Sequence, residues 1–241
     1  MRVFALLATI FMAALSSMAV SQVTEPPDVT YPNLPKYAET PEDFVPPGWK
    51  LENKLAGDLN KDGLDDVALV VHMDDPKNRV AMQWPPDTLV DTNPRMLAVG
   101  LSEGSIGYRL ALSNHDLISR LTSSTDSDPL TENGGVTIDR GSLKVALYYF
   151  SSAGGWDTGT KSFRFRLEGD AFRLIGYDRF NANRGTGVTD EVSINYLTRN
   201  VVIKTGTIKN DEEKTITRKL RKSVIPNIDQ VGEGLVFEPE Y

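Results

Sequence analysis

Cysteine is missing from all 241 residues. That excludes a disulfide framework and a lipoprotein attachment site. Histidine is nearly missing, with His72 and His115 the only two. A Ser-His-Asp arrangement would need one of them, and neither lies near a nucleophile motif such as Gly-x-Ser-x-Gly. Two isolated histidines do not make a zinc site either. Both therefore read as structural or surface residues. No Asn-x-Ser/Thr acceptor occurs. Basic residues are outnumbered, 26 Lys and Arg against 33 Asp and Glu, for a formal net charge of −7. An acidic balance of that kind argues against nucleic acid as a partner.

Long apolar runs are also scarce. The one at the N-terminus has the layout of a secretory signal over residues 1–21. Arg2 supplies a positive start, 3–15 is nearly all apolar, and Ala19-Val20-Ser21 is a small-x-small cleavage site. The alternative is a membrane anchor, but the apolar core is short for a span. The reading is a cleaved leader, a periplasmic or extracellular location and no stable membrane insertion afterwards. Removing Arg2 with the leader takes the charge from −7 to −8. A secreted chain without disulfides suits a bacterial envelope. Residues 22–47 carry seven of the 14 prolines and little apolar content, which predicts an extended arm. Residues 48–241 are long enough for a single sizeable domain, with a division into 48–115 and 116–241 left open.

What is present is a run of evenly spaced oxygen donors. Gly57-Asp58-Leu59-Asn60-Lys61-Asp62-Gly63-Leu64-Asp65-Asp66 leads directly into Val67-Ala68-Leu69-Val70-Val71. Asp58, Asn60, Asp62 and Asp66 stand at loop positions 1, 3, 5 and 9, and the carbonyl of Leu64 stands at 7. Calcium takes six to eight oxygens in irregular geometry. Gly63 permits the sharp turn because it has no Cβ to forbid positive φ. Without a cation, Asp58, Asp62 and Asp66 would crowd three negative charges. The competing reading is a polar turn feeding a strand. An EF-hand is excluded because position 12 is Leu69 rather than a bidentate Glu.

Aspartate at position 9 followed by an apolar strand resembles the FG-GAP (VCBS) repeat of integrin α-subunit propellers and many bacterial secreted proteins. That resemblance runs from Gly57 to Val71 and implies Ca2+ held by Asp58, Asn60, Asp62, Leu64 and Asp66. A full propeller repeats its motif blade by blade, and no second copy occurs here, so the integrin function does not carry over. A second likeness spans most of the chain. Gly154-Gly155-Trp156, Ser162-Phe163-Arg164-Phe165-Arg166, Phe172-Arg173-Leu174-Ile175-Gly176 and Thr189–Thr198 follow one another. In this order they resemble a group of uncharacterised bacterial secreted or periplasmic proteins, from which Arg199 departs where a glycine is usual. It implies a fold and a location, and no activity.

The remaining texture is β. Residues 67–72 are apolar on both faces and predict a central strand. Segments 96–101 and 108–113 predict a hairpin, as do 136–140 and 143–150. Residues 161–167 set Phe163, Phe165 and Leu167 against Lys161, Arg164 and Arg166, the pattern of a half-buried strand. Segments 171–177, 191–198, 201–208 and 215–220 continue it. The best helix candidate is 115–121, with Asn114 as a cap. The fold class is therefore all-β and mostly antiparallel, as a partial propeller, a sandwich or a barrel.

Other residues bear on function. Asp157, Asp178, Asp190 and Glu191 are eligible for a glycosidase carboxylate pair, although spacing in sequence is not spacing in space. Trp156 suits either a surface contact or a plug between sheets. Residues 183–187 read as a loop rather than a phosphate cradle, because a strand follows them. Lys214, Arg218, Lys219, Arg221 and Lys222 read as a charged edge strand, with an acidic partner as the alternative. The leading expectation is a secreted Ca2+-stabilised module that binds a protein or an envelope component. A glycan hydrolase and an envelope inhibitor or immunity protein are the alternatives.

Overall fold

The computed structural model describes residues 26–82, 88–131, 134–220 and 225–241. The leader assigned to residues 1–21 lies outside the described residues. The chain is all-β, and every strand pair is antiparallel. Its first half contains β1 (Tyr37–Ala38), β2 (Trp49–Gly57), β3 (Asp66–Met73), β4 (Arg79–Met82), β5 (Thr88–Asp91), β6 (Arg95–Ser102) and β7 (Tyr108–Asn114). Five of these form a sheet in the order β1-β7-β6-β3-β2, and β4-β5 is a separate hairpin between β3 and β6. The second half contains β8 (Gly135–Asp139), β9 (Ser142–Phe150), β10 (Asp157–Glu168), β11 (Ala171–Asn183), β12 (Val188–Asn195), β13 (Asn200–Thr207) and β14 (Asn210–Lys219). These seven pair strictly in sequence order. Neither sheet closes into a barrel, and the arrangement is sandwich-like.

Side-chain alternation explains the layering. On β3, Ala68 and Val70 face a core shared with the seven-stranded sheet, whose members include Leu143, Val145, Leu147, Phe163, Phe165, Tyr177 and Ile194. Val67, Leu69 and Val71 face a second cluster with Phe44, Trp49, Met96 and Ala98. β3 is thus buried on both sides, as its unbroken apolar run requires.

Two expectations need correction. The proline-rich residues 26–47 are no bare extended tether, and Pro41–Phe44 even turns as a short 3-10 helix. Leu34, Ala38 and the fully buried Phe44 join the second cluster, with Tyr31 and Val45 packed against it. A few apolar side chains at suitable intervals cover a sheet face even in a proline-rich segment, because an extended chain needs no periodic stripe. The helix expected over 115–121 does not form. Asn114 Oδ1 does accept from the amides of Asp116 and Leu117, but Leu117, Ile118 and Ser119 are all buried. Three successive buried residues do not suit an amphipathic helix. The Leu117 carbonyl instead accepts from Gly234 N. The one α-helix among the described residues is α1 (Ile228–Val231).

Candidate functional site

The oxygen-donor loop joins β2 to β3, and its side chains are spoken for locally. Asp58 Oδ1 accepts from the amides of Lys61 (2.5 Å) and Asp62 (3.2 Å), and its Oδ2 accepts from Gly63 N (3.0 Å). Asn60 Oδ1 accepts from Asp62 N, and Asp62 Oδ1 accepts from Leu64 N. Asn60 Nδ2 donates to Asp62 Oδ2 at 2.8 Å. Lys61 and Gly63 both take positive φ, at 67° and 87°. The loop is therefore a tight coil of carboxylates closing on backbone amides.

Asp66 differs from the rest. It is fully buried at the start of β3. Its Oδ2 accepts from Leu59 N (2.8 Å) and Asn60 N (3.3 Å), and its Oδ1 accepts from Ser102 N at the end of β6 (2.9 Å). Burial pushes its carboxyl above the usual range, outweighing these three amides, and the charge of Asp62 adds to the rise. Between them Leu59, 1% exposed, plugs the core shared by both sheets. Gly57 allows close approach to β8, since an added Cβ would meet Ile138 at 2.8 Å. The loop thus sits on the seam between the sheets.

Among the described residues, no three His, Cys, Asp or Glu side chains converge as a metal-holding group. The donor set nonetheless has the chemistry a hard cation needs. Asp58, Asp62 and Asp66 form no ion pair among the described residues. A carboxylate oxygen has two lone pairs, so Asp58 Oδ2, both Asp62 oxygens and Asp66 Oδ1 each keep acceptor capacity beyond the bonds named above.

The four acids singled out for a carboxylate pair are divided by strand alternation. Asp157 and Asp190 lie on the inner face of the seven-stranded sheet, and Asp178 and Glu191 line a cavity on the other. Asn181 stands between the first two, its Nδ2 reaching Asp157 Oδ1 (3.5 Å) and Asp190 Oδ1 (3.2 Å). Asp190 also pairs with Arg179 at 2.6 Å. Asp178 accepts from Ser193 Oγ at 2.6 Å. The sequence pattern sets Lys161 on the polar side with Arg164 and Arg166, and the structure corrects this: Lys161 is 5% exposed and belongs to the inward-facing row. Its Nζ donates to the carbonyls of Leu235 and Phe237 and to Glu238 Oε1, at 2.8–2.9 Å. The clue was its place in the inward-facing row with Phe163 and Phe165.

The other expectations fall out as follows. His72 Nε2 lies 3.1 Å from the Asn93 carbonyl and its Nδ1 3.7 Å from Glu52. His115 stacks on Tyr31 with ring centroids 4.1 Å apart. Trp156 is 67% exposed, which rules out the plug between sheets. Asn183 Oδ1 accepts from the amides of Gly185 and Thr186, and the chain then enters β12, so residues 183–187 form a loop. β14 is an edge strand, carrying Lys214, Arg218 and Lys219. Arg221 and Lys222 lie outside the described residues. No family model, curated protein or solved structure matches the chain.

Proposed function

We propose that this is a secreted or periplasmic module, stabilised by one calcium ion in the β2–β3 loop, that binds a protein or envelope component without catalysis. The observation that carries the calcium reading is the trio Asp58, Asp62 and Asp66 within nine residues, uncompensated by any cation among the described residues. Asp58, Asn60, Asp62 and Asp66 would hold the ion through side-chain oxygens, and Leu64 through its carbonyl. The ion would supply positive charge and cross-link the loop, a structural role. The FG-GAP-type motif supports the same assignment. The engagement of His72 and His115 in structural contacts supports the non-catalytic part.

The test is thermal unfolding of residues 22–241 in calcium and in chelator, beside Asp62→Ala. Free calcium at a hundred times its dissociation constant adds about 2.7 kcal/mol. For a chain of this size that raises the melting temperature by roughly 5–11 °C. Asp62→Ala should abolish the rise. An unchanged melting temperature in the unaltered chain refutes the calcium reading.

A further inference from the structure

The inner face of the seven-stranded sheet changes character along its length. At one end Phe163, Phe165, Tyr177 and Ile194 build the core. One or two rows further, the inward positions become Lys161, Arg179, Asn181 and Asp190, with Tyr149 from β9 and Asp157 from β10. Two adjoining cavities open there, of about 270 and 210 Å³, and share Tyr149, Asp157 and Leu235. The polar groups are held in place rather than left to solvent. Arg179 is fixed by Asp190 and Glu238, and Lys161 by Glu238 and two carbonyls. Tyr149 Oη donates to Asn181 Oδ1 at 2.8 Å. It reaches across β10 because residue 159 is glycine, where an added Cβ would lie 2.7 Å from that hydroxyl.

A network built only to fasten the C-terminal segment would be expected to satisfy its own polar atoms. This one does not. Three buried side-chain polar atoms lack a partner among the described residues, and two of them, Arg179 Nε and Tyr177 Oη, belong to this region. Tyr177 lies within electrostatic reach of Glu238, Arg179 and Tyr149. Unsatisfied groups of this kind concentrate where a structure is organised for something other than stability.

We infer that this cleft binds, and does not cleave, a neutral saccharide. Both cations are already neutralised by the carboxylates beside them, so the cleft offers an anionic ligand no free charge. What it offers is spare acceptor capacity on the Asp157 and Asp190 carboxylates and the Tyr149 oxygen, which Asn181 ties together, beside one unpaired donor, Arg179 Nε. Sugar hydroxyls, each a donor and an acceptor, are the complement of that mixture. Hydrolysis is disfavoured by hydrogen-bond polarity. Asp157 accepts from Asn181 and Asn183, and Asp190 accepts from Asn181 and Arg179, so each serves as an acceptor where a general acid must donate. This inference rests on the binding-module reading for its meaning and does not involve the calcium loop.

The experiment is isothermal titration calorimetry of residues 22–241 against hexasaccharides of β-1,4-glucose, α-1,4-glucose and β-1,4-N-acetylglucosamine. Polygalacturonate and chitosan serve as charged comparators. At least one neutral sugar should bind saturably. Asp157→Ala and Asn181→Ala should each weaken that binding about tenfold or more. Asp157 is exposed, so its variant should keep the parental melting temperature and carries the test if Asn181→Ala disturbs folding. Absence of saturable binding to any neutral sugar overturns the inference. So does binding to the charged polymers alone, binding indifferent to Asp157→Ala, or release of shorter sugars. A calcium-dependent melting temperature would survive any of these results, which keeps the two readings separable.

Discussion

Asp66→Asn isolates what a buried carboxylate contributes at the seam. Asp66 accepts three backbone amides, two on one oxygen and one on the other. Asparagine can keep its oxygen toward Leu59 and Asn60, but then points an NH2 group at the amide of Ser102. A hydrogen bond to a charged group is worth about 1.5–3 kcal/mol, and the facing donors add to the loss. Relief of the burial that disfavours this charge, which outweighs the three amides in the folded chain, returns at least as much. The net expectation for Asp66→Asn at neutral pH is therefore a change within about 1 kcal/mol of zero. Asp66→Leu, which leaves all three amides unpaired, should cost more, about 4 kcal/mol. The assay is urea unfolding at neutral pH in chelator, comparing midpoints at constant slope. The pH dependence has a definite sign. The folded-state value lies above the ordinary 3.8, so the folded chain holds this proton more tightly than the unfolded chain. The contribution of Asp66 is fully favourable below 3.8 and declines as pH rises through its folded value. Calcium should weaken or reverse that slope, and Asp66→Asn should remove it. A change in stability below about 0.5 kcal/mol for Asp66→Leu would refute the clamp.

Two further substitutions test buried charges. Arg95, 7% exposed, is forked between Glu52 and Asp128, whose carboxylates hold its guanidinium well above the usual range against the effect of burial. Arg95→Met should cost about 3–5 kcal/mol by stranding both acids, read from urea midpoints, and Arg95→Met with Glu52→Gln and Asp128→Asn should recover much of it. Lys161→Met should release the C-terminal segment from two carbonyls and Glu238, and limited proteolysis should then cut near residues 235–238 at least several times faster than in the parent chain.

The strands were legible because a pleated chain with one wet face must alternate, and a doubly buried one must not. Phe163, Phe165 and Leu167 announced β10, and residues 67–71 announced β3 as central. The same rule, applied to Asp190 and Glu191, says that two adjacent acids on a strand point to opposite faces, so they could never serve one site. What remained hidden depends on the third dimension. Phe44 and Leu34 sit among prolines with no period to betray them, because an extended segment buries whichever side chains meet the sheet. Leu117 to Ser119 look helical in pattern, yet the core takes all three. The oxygen donors of the loop were readable by spacing, whereas the burial of Asp66 was not. Nor was the cleft, since Tyr149, Asp157, Asn181 and Asp190 come from four strands whose registers bring them together.

The loop and the cleft are related through β9, and this makes their independence testable. Gly141, in the turn before β9, packs on the loop, where an added Cβ would lie 3.3 Å from the Asp58 carbonyl and 3.5 Å from the Lys61 side chain. Tyr149, near the other end of β9, lines the cleft. Seven residues of extended strand separate them by roughly 25 Å. Two charges at that distance are screened in ordinary salt, and β9 is paired along its length with β10. A calcium ion at the loop therefore acts on the cleft only by keeping the sheets folded together. Well below the melting temperature, saccharide affinity should agree within about twofold in calcium and in chelator. Near it, chelator should lower the apparent affinity in step with the folded fraction. A larger change at low temperature, with the chain fully folded by circular dichroism, would mean that the seam between the sheets has two arrangements and that the cleft senses which one is occupied.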